Sequence, residues 1–374
     1  MTTPRKIPVF SPIIGREETE YVNDCLSTHW ISQGKYVKQF EEEFSRYSGC
    51  QYGIATNNGT TALHLAAVAL GLKAGDEVLV STSTNMASAF AMYYQGAIPV
   101  PVDIERDTWQ LDVKQLERKI TAKTKAIEVV HLFGHPVDMD PVLEIARKHD
   151  LKVIEDCAEA HGAEYKGRKV GSLGDLACFS FYANKIITCG EGGMVTTNDK
   201  ALADRVRRFG NFCYGDKQKF MHDDVGYNYR LSNMSAALGL GQFRRLEQIL
   251  ERKREIHARY QKNLTGVRGF NIPAIRPWAK SVMWMFNVYL TPSEFGMTRD
   301  ELCRNLAEMG IETREAFVPI NKQKVFLSKG LVREDDCPVA NDIMETGFYL
   351  PSGLTLSHDD IDYVCDAIKK LARH

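Results

Sequence analysis

Three groups of side chains stand where they could act together on one small molecule. Lys185 follows a short apolar run, Leu176 to Phe181, and precedes the glycine patch Gly190–Glu191–Gly192–Gly193. Such a run predicts a buried strand. Desolvation at a strand end disfavours the charged form of an amine, and the neutral amine is the nucleophile toward carbonyls. Glycines close behind let backbone approach a bound group without side-chain clashes. An isolated lysine leaving a strand is usually plain surface, so the rest of the chain must supply the reason to read it otherwise. Asp156 closes a second apolar run, and Thr56–Asn57–Asn58–Gly59 closes a third, ahead of an apolar helix opening at Thr60 or Thr61. That helix start offers free N–H groups, hydroxyls and a positive dipole end, which suit a phosphate. The same residues would also make an ordinary helix cap.

The elements that must bring these groups together alternate regularly. Strands are expected at Glu77 to Ser81, Ala97 to Val102, Lys125 to Leu132, Lys152 to Ile154, Leu176 to Phe181 and Met194 to Thr197. Helices are expected at Glu17 to Ser27, Tyr36 to Tyr47, Met86 to Tyr94, Val113 to Ile120, Asp140 to His149 and Lys200 to Arg208. Alternation of this kind predicts a mostly parallel α/β sheet with helices on both faces, and right-handed crossovers bring the strand ends to one edge. One long helical stretch, Ser232 to Arg259, would lead from a large domain (1–245) to a smaller α/β domain (246–374). In the smaller one, strands are expected at Met285 to Leu290 and Ile311 to Thr313. Helices are expected at Arg299 to Glu308, near Asp342, and at Asp359 to Leu371.

Composition narrows the class. The 374 residues are 44% hydrophobic and 25% charged, with a net charge of −1 spread along the chain. There is no nucleic-acid footprint, no membrane-length apolar run and no leader-like start, and nine scattered cysteines make no disulfide framework. A reducing cytoplasm is expected. GEGG at 190–193 has the wrong spacing for a dinucleotide fingerprint, and no G-x-S-x-G nucleophile elbow is present. His131 and His135, and the pair Cys157 and His161, lie on strand ends and loops, where hydrogen-bonded structure is the expected role, so no metal is assigned. A phosphate seat, a carboxylate and a lysine are what pyridoxal 5'-phosphate requires. Its phosphate takes the helix start, its aldehyde the amine, and its pyridine nitrogen the acid.

Longer motifs carry a family resemblance over nearly the whole chain. They include NNGTTALHLA (57–66), GDEVLV (75–80), GAIPVPVDI (96–104), HLFGHPVDMD with IEDCAEAHGAEYKG (131–167), GSLGDLACFSFYANKIITCGEGGMVTTND (171–199) and VGYNYRLSNMSAALGLGQ (225–242). The chain resembles the DegT/DnrJ/EryC1/StrS sugar aminotransferases, which are fold-type-I pyridoxal-phosphate enzymes. NKIITCGEGGM and IEDCAEAHGA are most similar to members that aminate C4 of GDP-4-keto-6-deoxymannose. The resemblance implies roles by position. Lys185 would bond to the cofactor's aldehyde and later move protons, with Asp156 at the pyridine nitrogen and Glu159 near the ring oxygen. Gly59, Thr60 and Ser180 would hold the phosphate. Asn228 would reach the phosphate of a neighbouring subunit, in a homodimer with a composite site and the polar 209–230 segment at its interface. L-glutamate would be the amino donor in a ping-pong cycle, and Trp30, Arg314 and Asn321 would meet the nucleotide-linked keto sugar. Two positions depart from the family pattern. Asn85 stands where an aromatic usually stacks on the cofactor, and Asn321 where histidine is usual; both are expected to border the substrate pocket. Relatives that use histidine in place of the lysine are dehydratases, and Lys185 argues against that chemistry. A non-catalytic regulatory member would be expected to have lost the lysine, the aspartate or the phosphate loop, and all three are intact.

Overall fold

A computed structural model describes residues 5–215 and 220–372 of the chain. Seven strands form one sheet: β1 (Tyr52–Thr56), β2 (Glu77–Ser81), β3 (Ile98–Val102), β4 (Thr124–Val130), β5 (Lys152–Asp156), β8 (Leu176–Ser180) and β9 (Gly193–Thr197). A small hairpin, β6 (Glu164–Tyr165) and β7 (Arg168–Lys169), interrupts the series. The order across the sheet is β1-β9-β8-β5-β4-β2-β3. Only β9 runs against its neighbours. Every residue of β8 is buried, and separate apolar cores cover the two faces of the sheet. Burial on both faces is why these strands read as continuous apolar runs.

Four helices introduce the chain: α1 (Arg16–Thr28), α2 (Lys35–Tyr47), α3 (Gly59–Leu70) and α4 (Ala87–Tyr94). The third begins one residue before the expected start. Asn58 is extended, and its Oδ1 accepts the N–H of Thr61 at 2.9 Å, which makes it the cap.

A second, antiparallel sheet is built from β10 (Phe270–Asn271), β12 (Phe286–Leu290), β13 (Arg314–Glu315) and β14 (Gly347–Leu350), in the order β10-β12-β14-β13. Between them in sequence, β11 (Ala279–Lys280) joins the β6–β7 hairpin instead. A third core lies under this sheet, and Ile7 belongs to it.

Two expectations need correction. The stretch from Ser232 to Arg259 is not one helix but two, Asn233–Arg244 and Leu246–Leu264. The break is at Arg245, whose Nε donates to the buried Glu18 at 3.1 Å. Ile311 to Thr313 is not a strand. The Ile311 N–H closes the preceding helix on Leu306 O at 2.9 Å, and its one bridge is to Ile7, so pairing with β14 starts only at Arg314.

Candidate active site

β5 and β8 are neighbours, so Asp156 and the residues after Ser180 emerge side by side at the same edge of the sheet. Beyond Ser180 the chain turns, the Lys185 N–H bonding to Tyr182 O at 2.9 Å, and the lysine side chain folds back into a cavity of about 540 Å³. That volume falls in the range of small-molecule sites. Asn58, Gly59, Thr60, Asn85, Asp156, Glu159, Ser180 and Lys185 all line it.

At one end the start of α3 meets Ser180. A Cβ on Gly59 would stand 2.7 Å from the Ser180 Cβ, and one on Gly193 would stand 2.3 Å from Asn58 O, so both close approaches need glycine. The first N–H groups of a helix have no acceptor within it. Asn58 takes that of Thr61, which leaves those of Gly59 and Thr60 at the cavity. This is a cradle for an anion. Gly59→Val should therefore weaken pyridoxal phosphate binding roughly ten-fold or more without unfolding the protein. Equilibrium dialysis beside a thermal melt checks it, and unchanged affinity would remove the cradle from the site.

Toward the other end the cavity is rich in acids. Asp156 Oδ1 accepts the Ala158 N–H at 3.0 Å and Oδ2 accepts the Ser88 hydroxyl at 2.9 Å. Burial pushes the Asp156 carboxyl up, against those two hydrogen bonds and the Lys185 charge. Glu159 pairs with Lys185 Nζ at 3.3 Å through one oxygen and accepts the Phe133 N–H at 2.8 Å through the other; burial raises it too. Glu128, on β4, is fully buried, and neither oxygen has a partner among the described residues. Burial, then the nearby Asp156, push its pKa well above the usual carboxylate range. Glu128 does not line the cavity; within it one amine, Lys185, faces Asp156 and Glu159. A ligand with a cationic ring nitrogen and an anionic tail complements both ends, which is the charge pattern of pyridoxal phosphate.

The remaining expected residues fall differently. Asn85 lines the cavity, but its Oδ1 accepts the Ala87 N–H at 3.0 Å and so also shapes the turn before α4. Asn228 is exposed on the loop bridging Asn211 and lies off this chain's cavity; residues 216–219 of the polar segment lie outside the described residues. Trp30 is 66% exposed after α1, also away from the cavity. Arg314 is exposed on β13, ion-paired with Glu312, and only its register partner Tyr349 reaches the cavity wall. Asn321, expected to border the substrate pocket, is fully buried and does not line this chain's cavity. Its side chain accepts from Thr82 at 3.0 Å and donates to Asn341 at 2.9 Å and Glu334 O at 2.8 Å, so its polar atoms are engaged in holding the chain.

His131, Glu155 and Cys157 do cluster, with ligand atoms within 4.8 Å of one another. Glu155, however, accepts the N–H groups of Gly171, Leu173 and Gly174 as well as pairing with His131, and His131 Nδ1 accepts from Val137. The lone pairs of Glu155 and His131 are engaged in a structural network.

Sequence reasoning missed Ser88, Glu128, Trp284, Phe317 and Tyr349. The acid inside the apolar strand AIEVV was a usable signal for Glu128. The aromatics, more than a hundred residues from Asp156 along the chain, gave none.

An amine beside buried acids, with an anion cradle at the far end, defines the site of a pyridoxal-phosphate-dependent aminotransferase. Comparison with known proteins agrees. Residues 12–369 match the DegT/DnrJ/EryC1/StrS aminotransferase family, and the chain belongs to it. It is 43% identical to the GDP-perosamine synthase of Escherichia coli O157:H7, over 97% of this chain and 98% of the relative. Among solved structures it is similar to DesV from S. venezuelae in complex with a ketimine intermediate, with TM-score 0.90, 35% identity, and 96% and 95% of the two chains covered. It is also similar to Spr1654 from Streptococcus pneumoniae in a PLP form, with TM-score 0.93, 27% identity, and 98% and 99% of the two chains covered.

Proposed function

We propose that the chain transfers an amino group from L-glutamate to C4 of GDP-4-keto-6-deoxymannose, giving a perosamine-type product for polysaccharide such as O-antigen. The observation that carries this reading is the 43% identity to a GDP-perosamine synthase across nearly the full length of both chains. The convergence of Lys185, Asp156 and Glu159 on one cavity supports it. When bound, pyridoxal phosphate supplies a protonated ring that takes up the electron pair left at the substrate carbon. Gly59, Thr60 and Ser180 would bind the phosphate. Asp156 would present its carboxylate to the ring nitrogen. Lys185 would hold the cofactor by its aldehyde, and its amine would take and return a proton at the substrate carbon. Glu159 would keep that amine within reach. Tyr349, Phe317 and Trp284 exclude water from that wall.

Asn228 and Trp30, exposed and off their own cavity, suit contacts with the site of a second subunit, so the working form is a homodimer. The reading divides the chain into a cofactor-binding unit, 1–245, and a smaller unit, 246–374, against which Ile7 packs. Among the described residues no helix is long and apolar enough to cross a membrane, in keeping with a cytoplasmic enzyme. Asn85, engaged in its own turn where an aromatic is usual, favours one alternative, a different nucleotide-linked keto sugar or a small keto phosphate. Purified enzyme with pyridoxal phosphate and L-glutamate, offered a panel of keto-sugar nucleotides and keto phosphates, tests both. The expected product mass is that of the GDP-linked 4-amino sugar. Amination of other acceptors alone would replace the assigned substrate, and no amination of any would remove the reading.

A further inference from the structure

The cavity wall opposite α3 hangs on the antiparallel sheet. Trp284 stands just before β12, and Tyr349 lies in β14. Between these strand ends is Lys253, from the helix Leu246–Leu264, with 1% of its surface exposed. Its amine donates to Trp284 O at 2.8 Å and to Ser352 O at 2.7 Å. No carboxylate pairs with it among the described residues, and burial pushes its pKa down to about 7. A buried amine held by two carbonyls, with the Phe10 ring 5.5 Å away and no carboxylate, is costly, and an apolar side chain of the same length would fill the space more cheaply. What Lys253 secures is geometry: the Ser352 hydroxyl also accepts the Phe286 N–H at 2.9 Å and donates to Leu350 O at 2.9 Å. One amine thus ties the start of β12 to the end of β14.

Trp284 in turn is fixed on every side. Its N–H donates to Phe133 O at 3.1 Å, and its indole lies 5.7 Å from the Phe133 ring at 29°. Indole Nε1 donates to the carbonyl of Asn184, the residue before Lys185, at 2.7 Å. The indole face lies 4.3 Å from Lys185 Nζ, with Glu159 as the amine's carboxylate partner. A cation over an indole face is attracted to it, more strongly once both are out of water.

We propose that Trp284 is a positioning residue for the Lys185 amine, seating it against the indole face, and that Lys253 sets the place of Trp284 by gripping its main-chain carbonyl. The proposal rests on the function given above for its meaning in turnover, but not for its test. Three variants separate the parts: Trp284→Leu removes the face and the N–H, Trp284→Phe keeps a face, and Lys253→Met releases the carbonyls. In protein freed of cofactor, the acetylation rate of Lys185 by acetic anhydride is read by peptide mass, with the exposed lysines as internal reference. With cofactor restored, the single-turnover rate with L-glutamate is compared with its KM. Trp284→Leu and Lys253→Met should speed Lys185 acetylation roughly three- to thirty-fold and slow the single turnover by a similar factor, with KM nearly unchanged. Trp284→Phe should recover most of both. Lower thermal stability with Lys185 acetylation at the wild-type rate would mean a purely structural role and would overturn the proposal. If Trp284→Leu fails to fold, Lys253→Met and Trp284→Phe decide it by the same readouts. If wild type transfers no amino group, the acetylation arm still decides, so the two readings fail separately.

Discussion

Lys185→Ala should give a folded protein that binds pyridoxal phosphate only reversibly and no longer transfers amino groups. The side chain contributes little to the core. It ends in a cavity, its charge partner is Glu159, and its remaining contact is the indole of Trp284. Without the amine, Glu159 stays buried beside the Phe133 N–H, and a carboxyl already raised by burial simply takes up a proton. The chemical loss has two sources. No side chain remains to bond the aldehyde, and none remains to carry the proton at the substrate carbon, a contribution that by itself is worth roughly 10²- to 10⁴-fold. Borohydride reduction followed by peptide mass should find the cofactor fixed on Lys185 in wild type and on no residue of the variant. Turnover at the wild-type rate would show that another residue does the chemistry.

Asp156→Asn isolates charge from shape. The amide oxygen can still accept the Ala158 N–H, and the amide nitrogen can donate to the Ser88 hydroxyl, so both contacts of the carboxylate have a replacement. What disappears is the negative charge that, on the proposed reading, faces a cationic ring nitrogen. At hydrogen-bonding range and an effective dielectric near 20, such a pair is worth up to about 4 kcal/mol. The variant should therefore retain cofactor, with affinity reduced by about ten-fold, and lose roughly 10²- to 10³-fold in the single-turnover rate with L-glutamate. The direction has a second check. In cofactor-free protein burial raises Asp156, so the group binds its proton more tightly folded than unfolded, and a bound cation should reverse this. Cofactor binding to wild type should release protons near the raised pKa, and the asparagine variant should release fewer. Near-normal kinetics in the variant would move the ring nitrogen away from β5.

Much of this arrangement is legible without coordinates because the sheet is buried on both faces. Strands such as Glu77–Ser81 and Leu176–Ser180 have no polar face to confuse with a helix, and the alternation with amphipathic segments fixes a parallel order. The edge where strands end is then implied, and with it the meeting of Asp156, Lys185 and the start of α3. Less was legible in the second half. The run GFYL of β14 is too short to carry a period, yet it is a central strand of the second sheet. The helix break at Arg245 depends on Glu18, more than two hundred residues earlier. The expectation of Asn321 at the pocket rests only on the family resemblance, which has histidine there, and its side chain turns inward to Thr82 and Asn341. Side chains that approach the site from another unit of the fold, such as Trp284 and Tyr349, leave no local pattern.

The bare backbone contacts at the rim of the sheet have a consequence for what the enzyme will accept. With no Cβ at Gly59 or Gly193, the mouth of α3, the last residue of β8 and the first residue of β9 touch as one block. The two ends of the lysine-bearing connection are thereby anchored at the anion seat, so on the proposed reading the span between amine and phosphate would act as a gauge. Vitamers would then be sorted by the length of one arm: pyridoxal lacking its phosphate, or carrying it on one more methylene, should reach one end of the gauge and miss the other.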